Sequence, residues 1–327
     1  MRDFSYLRAN SLDAARRAAA LPGAMLLAGG TTLIDLAKCG VAEPETLVDI
    51  THLEGLDKIE VSERGAIIGA LARMGHVADH AGIRSRFPAV SEALWQAASA
   101  QIRNMATIGG NLMQRTRCPY FRDPANFSAC NKREPGSGCS AIGGVTRGHA
   151  VLGTSDACIA MYPGDLAVAL VAFGATVHLG ERQVSVNDFF LLPGSTPNRE
   201  HAIEPGEMIT AIEIPGSAAA RRSTYLKIRD RQSYEFAAAS AAVGIEFEAD
   251  GRTIRDLRVA LGGVATKPWR ARAVEAALIG KVLEPDTVRA ASLLAVEGAV
   301  DHGANHYKIE LAPRVVARAI LKMGETA

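Results

Sequence analysis

Four of the five cysteines in this 327-residue chain lie in one stretch that lacks the hydrophobic periodicity of helices and strands. They are Cys118, Cys130, Cys139 and Cys158, whereas Cys39 lies apart, near the end of a predicted helix. An irregular segment buries little apolar surface, so its ordering needs another source of stabilisation, and a metal centre would supply one. For Cys39 we predict a small, buried and hydrophobic role.

Three interpretations of the four cysteines remain open. Two disulfides would require an oxidising compartment. A structural zinc ion usually binds closely spaced Cys-x2–4-Cys pairs, which this stretch does not contain. A 4Fe-4S cluster accepts four widely spaced thiolates, and basic neighbours would offset its negative charge. Such neighbours are present as Arg115, Arg117, Lys132 and Arg133.

Two glycine pairs lie where a predicted element gives way to the next, and each is flanked by Thr or Asn. The first is Gly29-Gly30, followed by Thr31-Thr32, and the second is Gly109-Gly110, between Thr107 and Asn111. Glycine lets the backbone approach a ligand closely, and free N–H groups at a helix start suit a phosphate. Neither pair is part of a Walker A or G-x-G-x-x-G motif. Two such loops fit the two phosphates of a dinucleotide, and the alternative is a tight turn with a capping residue.

These segments must be positioned by a chain in which helices and strands are mixed. We predict a first helix that begins near Ser11 and ends near Leu21, and a helix over 88–99 with Leu94 and Trp95 on its apolar side. The other predicted helices are 33–38, 268–280, 285–299 and 313–324, and the predicted strands are 2–8, 24–28, 46–50, 57–61, 65–70, 224–229, 235–248 and 253–261. Residues 112–158 are predicted to be irregular, and 216–220 to be a linker.

Composition narrows the possible functions. Lys and Arg number 36 against 35 Asp and Glu, so no overall charge attracts nucleic acid or an anionic membrane. No apolar run approaches the ~20 residues of a membrane-spanning helix. Arg16-Arg17 before a short apolar run imitates a twin-arginine signal, but Pro22-Gly23 interrupts that run. We therefore expect no export signal in this chain.

Four motifs together resemble the FAD-binding medium subunit of the xanthine oxidase family of molybdenum hydroxylases. They are Ala28-Gly29-Gly30-Thr31, the segment 101–111, Pro163-Gly164-Asp165-Leu166-Ala167 and Leu261-Gly262-Gly263-Val264. The cysteine-bearing segment is similar to that of the FAD subunits of bacterial periplasmic aldehyde oxidoreductases, which carry an additional 4Fe-4S cluster there. The gap from Cys118 to Cys130 is slightly longer than in that pattern. The resemblance favours the cluster over zinc and disulfides.

The resemblance also implies a fold and its domains. It implies an α+β chain in which a vanillyl-alcohol-oxidase-type (PCMH-type) FAD-binding domain precedes a smaller α+β domain of the CO dehydrogenase flavoprotein type. The FAD-binding domain would span 1–217, with subdomains of about 1–55 and 56–217 and the 4Fe-4S insertion at about 112–158. The C-terminal domain would span 218–327.

Site residues follow from the same resemblance. Asp165 would hydrogen-bond toward the sugar or ribityl chain of the flavin, unless it only caps a helix. Lys227 would lie near the isoalloxazine and stabilise the reduced flavin, unless it is a solvated charge on a strand. The implied FAD-binding residues are Leu27, Ala28, Gly29, Gly30, Thr31, Thr32, Leu33, Ile34, Thr107, Gly110, Asn111, Asp165 and Lys227, and the implied cluster ligands are Cys118, Cys130, Cys139 and Cys158.

The function implied by the resemblance is electron transfer, without catalytic residues in this chain. FAD and a 4Fe-4S cluster would serve a heterotrimeric molybdenum-dependent aldehyde oxidoreductase, with a large molybdenum-cofactor subunit, a small 2Fe-2S subunit and an external electron acceptor. The complex would be periplasmic through a signal on a partner subunit, or else cytoplasmic. The alternatives are the same subunit of another molybdenum hydroxylase (N-heterocycle or xanthine type), of an aromatic acyl-CoA reductase, or a zinc-stabilised binding module without flavin.

Overall fold

A small parallel sheet opens the chain in the computed structural model, which describes residues 1–325. Its strands are β1 (Ser5–Arg8), β2 (Ala24–Leu27) and β3 (Thr46–Asp49), in the order β1-β3-β2. Helix α1 (Leu12–Ala19) and helix α2 (Leu33–Lys38) connect them. Ser11 caps α1 as predicted, because its hydroxyl accepts a bond from the Ala14 N–H. The first glycine pair therefore lies between β2 and α2.

The middle of the chain builds a second, antiparallel sheet with helices packed on it. The sheet has the order β4-β5-β8-β6-β7. Its strands are β4 (Ile59–Val61), β5 (Gly65–Gly69), β6 (Thr176–Leu179), β7 (Arg182–Ser185) and β8 (Ala211–Pro215). The helices are α3 (Met74–Asp79), α4 (Ala81–Arg86), α5 (Pro88–Trp95), α6 (Ala100–Met105), α7 (Ile108–Leu112), α8 (Pro119–Arg122), α9 (Leu166–Ala172) and α10 (Val186–Phe189). Helix α9 is apolar on every side and is buried along its whole length.

An antiparallel meander and helices form the C-terminal part. Its strands are β9 (Ser223–Ile228), β10 (Ala239–Phe247), β11 (Ile254–Gly262) and β12 (Trp269–Arg270), in the order β12-β11-β10-β9. The helices are α11 (Ala218–Arg221), α12 (Arg272–Leu278), α13 (Pro285–Ser292), a 3-10 turn (Leu293–Val296) and α14 (Tyr307–Glu325), which packs on β9 and β10. Residues 326 and 327, the end of the expected 218–327 domain, lie outside the described residues. Within 1–325 no helix is both long and apolar enough to cross a bilayer.

The structure corrects several expectations. The linker predicted at 216–220 is wrong, because Ser217 caps α11 and both Ala219 and Ala220 are buried. Trp95 is not on the apolar side of its helix, since it is 48% exposed while Leu94 is buried. The expected 88–99 helix ends at Trp95, and α14 begins at Tyr307 with Pro313 inside it. Residues 112–158 are mostly irregular, as predicted, with α8 as a short exception.

Candidate functional site

The first glycine turn can be built only from glycine at its first position. A Cβ added to Gly29 would lie 2.1 Å from the backbone oxygen of Met105, so any side chain there would push two backbones apart. Gly30 has φ +71°, in the left-handed region that favours glycine. The turn between β2 and α2 is therefore pressed against the connection between α6 and α7. In this way the fold brings the two glycine pairs of the sequence together.

A cavity of about 400 Å³ opens beside this turn. Five residues of the predicted FAD set line it, namely Thr31, Thr32, Gly110, Asn111 and Asp165. The Oδ1 atom of Asn111 is buried and has no hydrogen-bond partner within the described chain. A buried acceptor left unpaired costs free energy unless a ligand or water donates to it. The volume and this unpaired acceptor fit a polar cofactor such as FAD.

A second cavity, of about 440 Å³, borders the same turn. Ala28, Gly29 and Thr107 of the predicted set line it, together with Met105. Thr107 also caps α7, because its hydroxyl accepts a 3.3 Å bond from the Gly110 N–H. Residues of the glycine turn therefore border two cavities, which together could receive an elongated dinucleotide. Five predicted residues are absent from both linings in the region described: Leu27, Gly30, Leu33, Ile34 and Lys227.

Lys227 reaches the site only through Asp165. Its Nζ donates to the Asp165 carboxylate at 2.8 Å and to the Gln96 carbonyl at 3.0 Å, and its side chain is 1% exposed. The Tyr225 hydroxyl donates to the same carboxylate at 2.6 Å. Burial raises the pKa of Asp165, and the Lys227 ammonium opposes that rise. Lys227 is thus not a solvated strand charge, and Asp165 makes no side-chain cap on α9.

All four cysteines of the irregular segment come into one neighbourhood. Cys130 and Cys139 face each other across an isolated antiparallel bridge, and Cys118 packs in the apolar clusters that contain them. Burial raises the pKa of the Cys118 thiol to about 12, and the nearby thiols of Cys158 and Cys130 add to the rise. The five cysteines are all free thiols in the described chain, so the structure does not support the disulfide alternative.

The zinc alternative also lacks support. Four thiolates around one zinc ion lie within about 4 Å of one another. Within residues 1–325, however, no group of three or more His, Cys, Asp or Glu side chains converges to hold a single metal ion. The donor set of four thiols suits a larger cluster, in which each sulfur binds a different iron atom. Cys39 is half-buried at the end of α2, with its sulfur 4.0 Å from an Arg122 nitrogen, rather than a buried hydrophobe.

The basic neighbours of the cysteines are already paired. Arg115 and Lys132 both bind Glu200, with Lys132 Nζ 3.0 Å from its Oε1 atom. Arg133 donates to backbone carbonyls, among them that of Tyr120. These side chains fasten the irregular segment to the rest of the fold. The Lys132 ammonium does oppose the rise that burial imposes on the pKa of Cys158.

Arg117 has a position that the sequence did not reveal. Its Nη1 donates to Asp35 on α2 at 3.2 Å, and its guanidinium lies over the Phe236 ring, 5.1 Å from the centroid. Arg117 lines both the 400 Å³ cavity and a third cavity of about 340 Å³, which reaches Cys118. Its Nε atom is buried without a partner among residues 1–325. Arg117 therefore separates the candidate flavin cavity from the cysteines.

His149 is a second side chain that sequence reasoning missed. Its Nε2 atom lies 3.2 Å from the Cys118 Sγ atom, and the residue is buried. A single histidine in an irregular segment carries no periodic signal, so only the fold could show this contact.

Known proteins resemble the chain over its whole length. Residues 2–217 match the family described as the FAD binding domain in molybdopterin dehydrogenase, and residues 224–323 match the CO dehydrogenase flavoprotein C-terminal domain. The chain is 44% identical, over 98% of both chains, to the aldehyde oxidoreductase FAD-binding subunit PaoB of Escherichia coli K12. It is 31% identical to the glyceraldehyde dehydrogenase medium chain of Sulfolobus acidocaldarius, over 88% of this chain and 85% of that one.

Solved structures agree with these matches. The carbon monoxide dehydrogenase of Hydrogenophaga pseudoflava superposes with a TM-score of 0.75 and 26% identity, covering 99% of this chain and 98% of that chain. Quinoline 2-oxidoreductase from Pseudomonas putida 86 has a TM-score of 0.75 at 24% identity, covering 100% of this chain and 98% of that chain. At this identity the likeness supports the fold alone. The expected fold is confirmed.

Proposed function

The chain belongs to the family of FAD-binding domains of molybdopterin dehydrogenases, and from this premise we propose that it is the electron-transfer subunit of a molybdenum-dependent aldehyde oxidoreductase. Two relatives support the aldehyde class, since one is named an aldehyde oxidoreductase subunit and the other a glyceraldehyde dehydrogenase chain. In this proposal a large molybdenum-cofactor subunit and a small 2Fe-2S subunit complete a heterotrimer. The subunit delivers their electrons to an external acceptor.

The observation that carries the proposal is the proximity of two different sites on either side of Arg117. On one side lies the 400 Å³ cavity, which Asn111 lines and near which its Oδ1 atom has no hydrogen-bond partner among the described residues. On the other side lies Cys118, with the three other cysteines of the irregular segment close to it. FAD, when bound, exchanges one or two electrons and so connects one-electron carriers to either kind of acceptor. The chain itself binds and orients FAD: the glycine turn admits it, Asn111 accepts from it, and Asp165 is held toward it by Lys227.

We also propose that Cys118, Cys130, Cys139 and Cys158 bind a 4Fe-4S cluster. A cluster of this kind, when bound, carries single electrons. Burial raises the pKa of the Cys118 thiol, so a metal that binds this sulfur must displace its proton. The ion pairs of Glu200 with Arg115 and Lys132 keep the segment folded around the four sulfurs.

A composition measurement on the purified complex tests both proposals. We expect one FAD per chain, and iron and acid-labile sulfide above the amount that the partner subunit's 2Fe-2S clusters account for. Cys130→Ser should remove four irons and leave FAD in place, whereas Cys39→Ser should change neither. Zinc in place of iron, or iron loss in the Cys39 variant alone, would contradict the cluster and its ligands. Absence of FAD would contradict the electron-transfer role itself.

The compartment of the complex can be tested separately. We propose that it is periplasmic and is exported together with a partner subunit that carries the signal. Fractionation of cells that produce all subunits should then place this chain with periplasmic markers, and should retain it in the cytoplasm when the partner's signal is deleted. Recovery with cytoplasmic markers in both cases would contradict the proposal.

A further inference from the structure

His149 is placed where one ring nitrogen meets a cysteine sulfur and the other is buried. The Nε2 atom lies 3.2 Å from Cys118 Sγ, a normal distance for a hydrogen bond to sulfur. The Nδ1 atom is buried and makes no hydrogen bond of normal geometry within the described residues, while the Thr146 carbonyl interacts with the ring and opposes the fall that burial imposes on its pKa. The same histidine lines the cavity of about 340 Å³ that extends toward Arg147 and Tyr307.

Contacts from two parts of the fold fix the ring in this position. The ring packs beside Tyr120, with 5.9 Å between centroids, and the Tyr120 hydroxyl accepts a bond from the Val145 N–H. On the other side, Asn305 of the C-terminal part donates to the carbonyl of Ala150 at 2.9 Å, directly after the histidine. The ring is therefore packed against Tyr120, and the backbone next to it is anchored by Asn305.

The two ring nitrogens of a neutral histidine have opposite roles, one donor and one acceptor. If Nε2 carries the proton, it donates to the sulfur, and Nδ1 becomes an acceptor that needs a donor. Among the described residues no donor is in place at Nδ1, so the contact with the sulfur has to select the tautomer. A thiolate accepts hydrogen bonds but cannot donate them, so a metal-bound Cys118 selects this tautomer.

We propose that His149 is a positioning residue for the cysteine centre, and that its Nε2–H donates to the Cys118 thiolate and raises the reduction potential of the centre. This inference rests on the proposed 4Fe-4S cluster. Reduction adds one electron and one negative charge, part of which resides on the cysteine sulfurs. A donor aimed at a sulfur favours the more negative form, so the reduced state is stabilised. A histidine that only fills space would leave the potential unchanged.

The test compares variants that keep or remove the donor. His149→Phe keeps a ring beside Tyr120 but offers no N–H, whereas His149→Gln keeps a side-chain N–H donor. The control is His302→Phe, because His302 lies nearby and contacts Thr154 Oγ1 at 3.2 Å instead of a sulfur. Each assembled complex is assayed for iron and then titrated with a redox mediator set while the electron paramagnetic resonance of the extra cluster is recorded.

We expect all variants to retain their iron. At the potential that half-reduces the wild-type cluster, the ratio of reduced to oxidised cluster should fall roughly tenfold in His149→Phe, as expected for one lost hydrogen bond to a charged group. His149→Gln should recover most of this loss, and the His302 variant should match the wild type. An iron-replete His149→Phe complex that titrates like the wild type would overturn the inference, as would an equal shift in the control.

A second measurement needs no variant and covers the case in which His149→Phe does not fold. Wild-type complex labelled with 15N-histidine should show a weak nitrogen coupling to the reduced extra cluster in pulsed resonance spectra. Absence of that coupling would overturn the contact. A wild-type complex without the extra iron would instead overturn the proposed cluster, and this inference with it, so the two failures are distinguishable.

Discussion

The Asp165 carboxylate and the Lys227 ammonium form a buried ion pair, with 2.8 Å between Oδ2 and Nζ. Asp165 precedes α9 and Lys227 lies on β9, so the pair joins the flavin cavity to the C-terminal sheet. The Tyr225 hydroxyl and the Gln96 carbonyl complete the hydrogen bonds of the two charges. Burial of an ion pair is expensive unless both partners are present and well bonded. The pair therefore fixes the orientation of a carboxylate that lines the cavity.

Removal of both partners of this pair should cost much less stability than the sum of the two single removals. Lys227→Met leaves the Asp165 charge buried and unpaired, and we expect a loss of about 3–5 kcal/mol in the free energy of unfolding. Lys227→Met combined with Asp165→Leu should cost clearly less than the sum of the single changes. Urea unfolding of the full chain measures each value. Additive losses would show that the two charges do not depend on each other.

Flavin binding should depend on Gly29 because of its contact with Met105. Gly29→Ala places a methyl group 2.1 Å from the Met105 oxygen, so the turn and the α6–α7 connection must separate. We expect the purified variant to lose most of its FAD. Gly174→Ala is the control, since an added Cβ at Gly174 meets no atom within 4 Å and the residue lines neither cavity at the turn in the described chain. Equal FAD content in both variants would place the cofactor elsewhere.

Variants of Arg117 and Arg122 can distinguish two contributions to FAD binding, that of a cation in the cavity wall and that of an ion pair with Asp35. Both bind Asp35, but only Arg117 lines the 400 Å³ cavity within the described chain. Arg117→Met should weaken FAD binding roughly tenfold, because a cation at the cavity is lost. Arg122→Met should change the FAD dissociation constant less than about twofold, an effect of the order seen for distant ion pairs. Fluorescence titration of the apoprotein with FAD compares them; equal weakening would assign the effect to Asp35.

Local sequence signals were sufficient to predict the strand and the helix on either side of the glycine turn. The short apolar strand β2, the glycine pair and α2 follow one another within 24–38, and each has its own composition and boundary residues. The irregular segment was equally visible, since it lacks hydrophobic periodicity. Alanine was misleading at 216–220, because a small side chain carries little local signal whether it lies in a linker or, as Ala219 does, in the core.

Contacts between residues far apart in the sequence could not be predicted from local sequence patterns. Lys227 is 62 positions from Asp165, and His149 is 31 positions from Cys118. Burial of a lysine on a strand is unfavourable by itself, so the sequence alone favours a solvated charge until its carboxylate partner is known. The short helices α3, α4, α6 and α7 were missed for a related reason. Helices of five or six residues have little stability of their own and depend on tertiary packing.

Stability should decrease in acid partly because of His201. Burial lowers the pKa of this histidine from 6.5 to about 4 in the folded chain, where its Nε2 atom lies 3.1 Å from the Leu112 carbonyl. The unfolded chain binds the proton more readily, so the contribution is present above about pH 6.5 and is lost as the pH falls toward 4. Between pH 7 and pH 5 we expect a loss of about 2 kcal/mol from this group. Urea unfolding of His201→Gln should show a correspondingly smaller pH dependence than the wild type; an unchanged pH dependence would contradict this assignment.

The last prediction concerns the exit of electrons from the assembled complex, and Asn111 is the residue to change. Asn111 lines the 400 Å³ cavity, and its buried Oδ1 atom has no partner within the described residues, whereas Thr107 also caps α7, so Thr107→Ala would disturb the helix as well. Asn111→Ala should weaken FAD binding roughly tenfold, since a buried acceptor for the cofactor is removed. Asn126→Ala is the control, because the Asn126 side chain bonds to Asp123 at the surface.

If this subunit is the terminal relay, loss of FAD must slow only the final transfer. Rapid mixing of the desalted Asn111→Ala complex with excess aldehyde should still bleach the partner subunit's 2Fe-2S clusters at the wild-type rate. Turnover with an external acceptor should fall in proportion to the FAD that is lost, and added FAD should restore it. The Asn126 variant should behave as wild type in every measurement. Full turnover by the FAD-depleted complex would contradict this prediction, because the reduced clusters would then pass electrons to the acceptor without FAD. Electrons would leave by another route, and FAD in this subunit would have only a structural role.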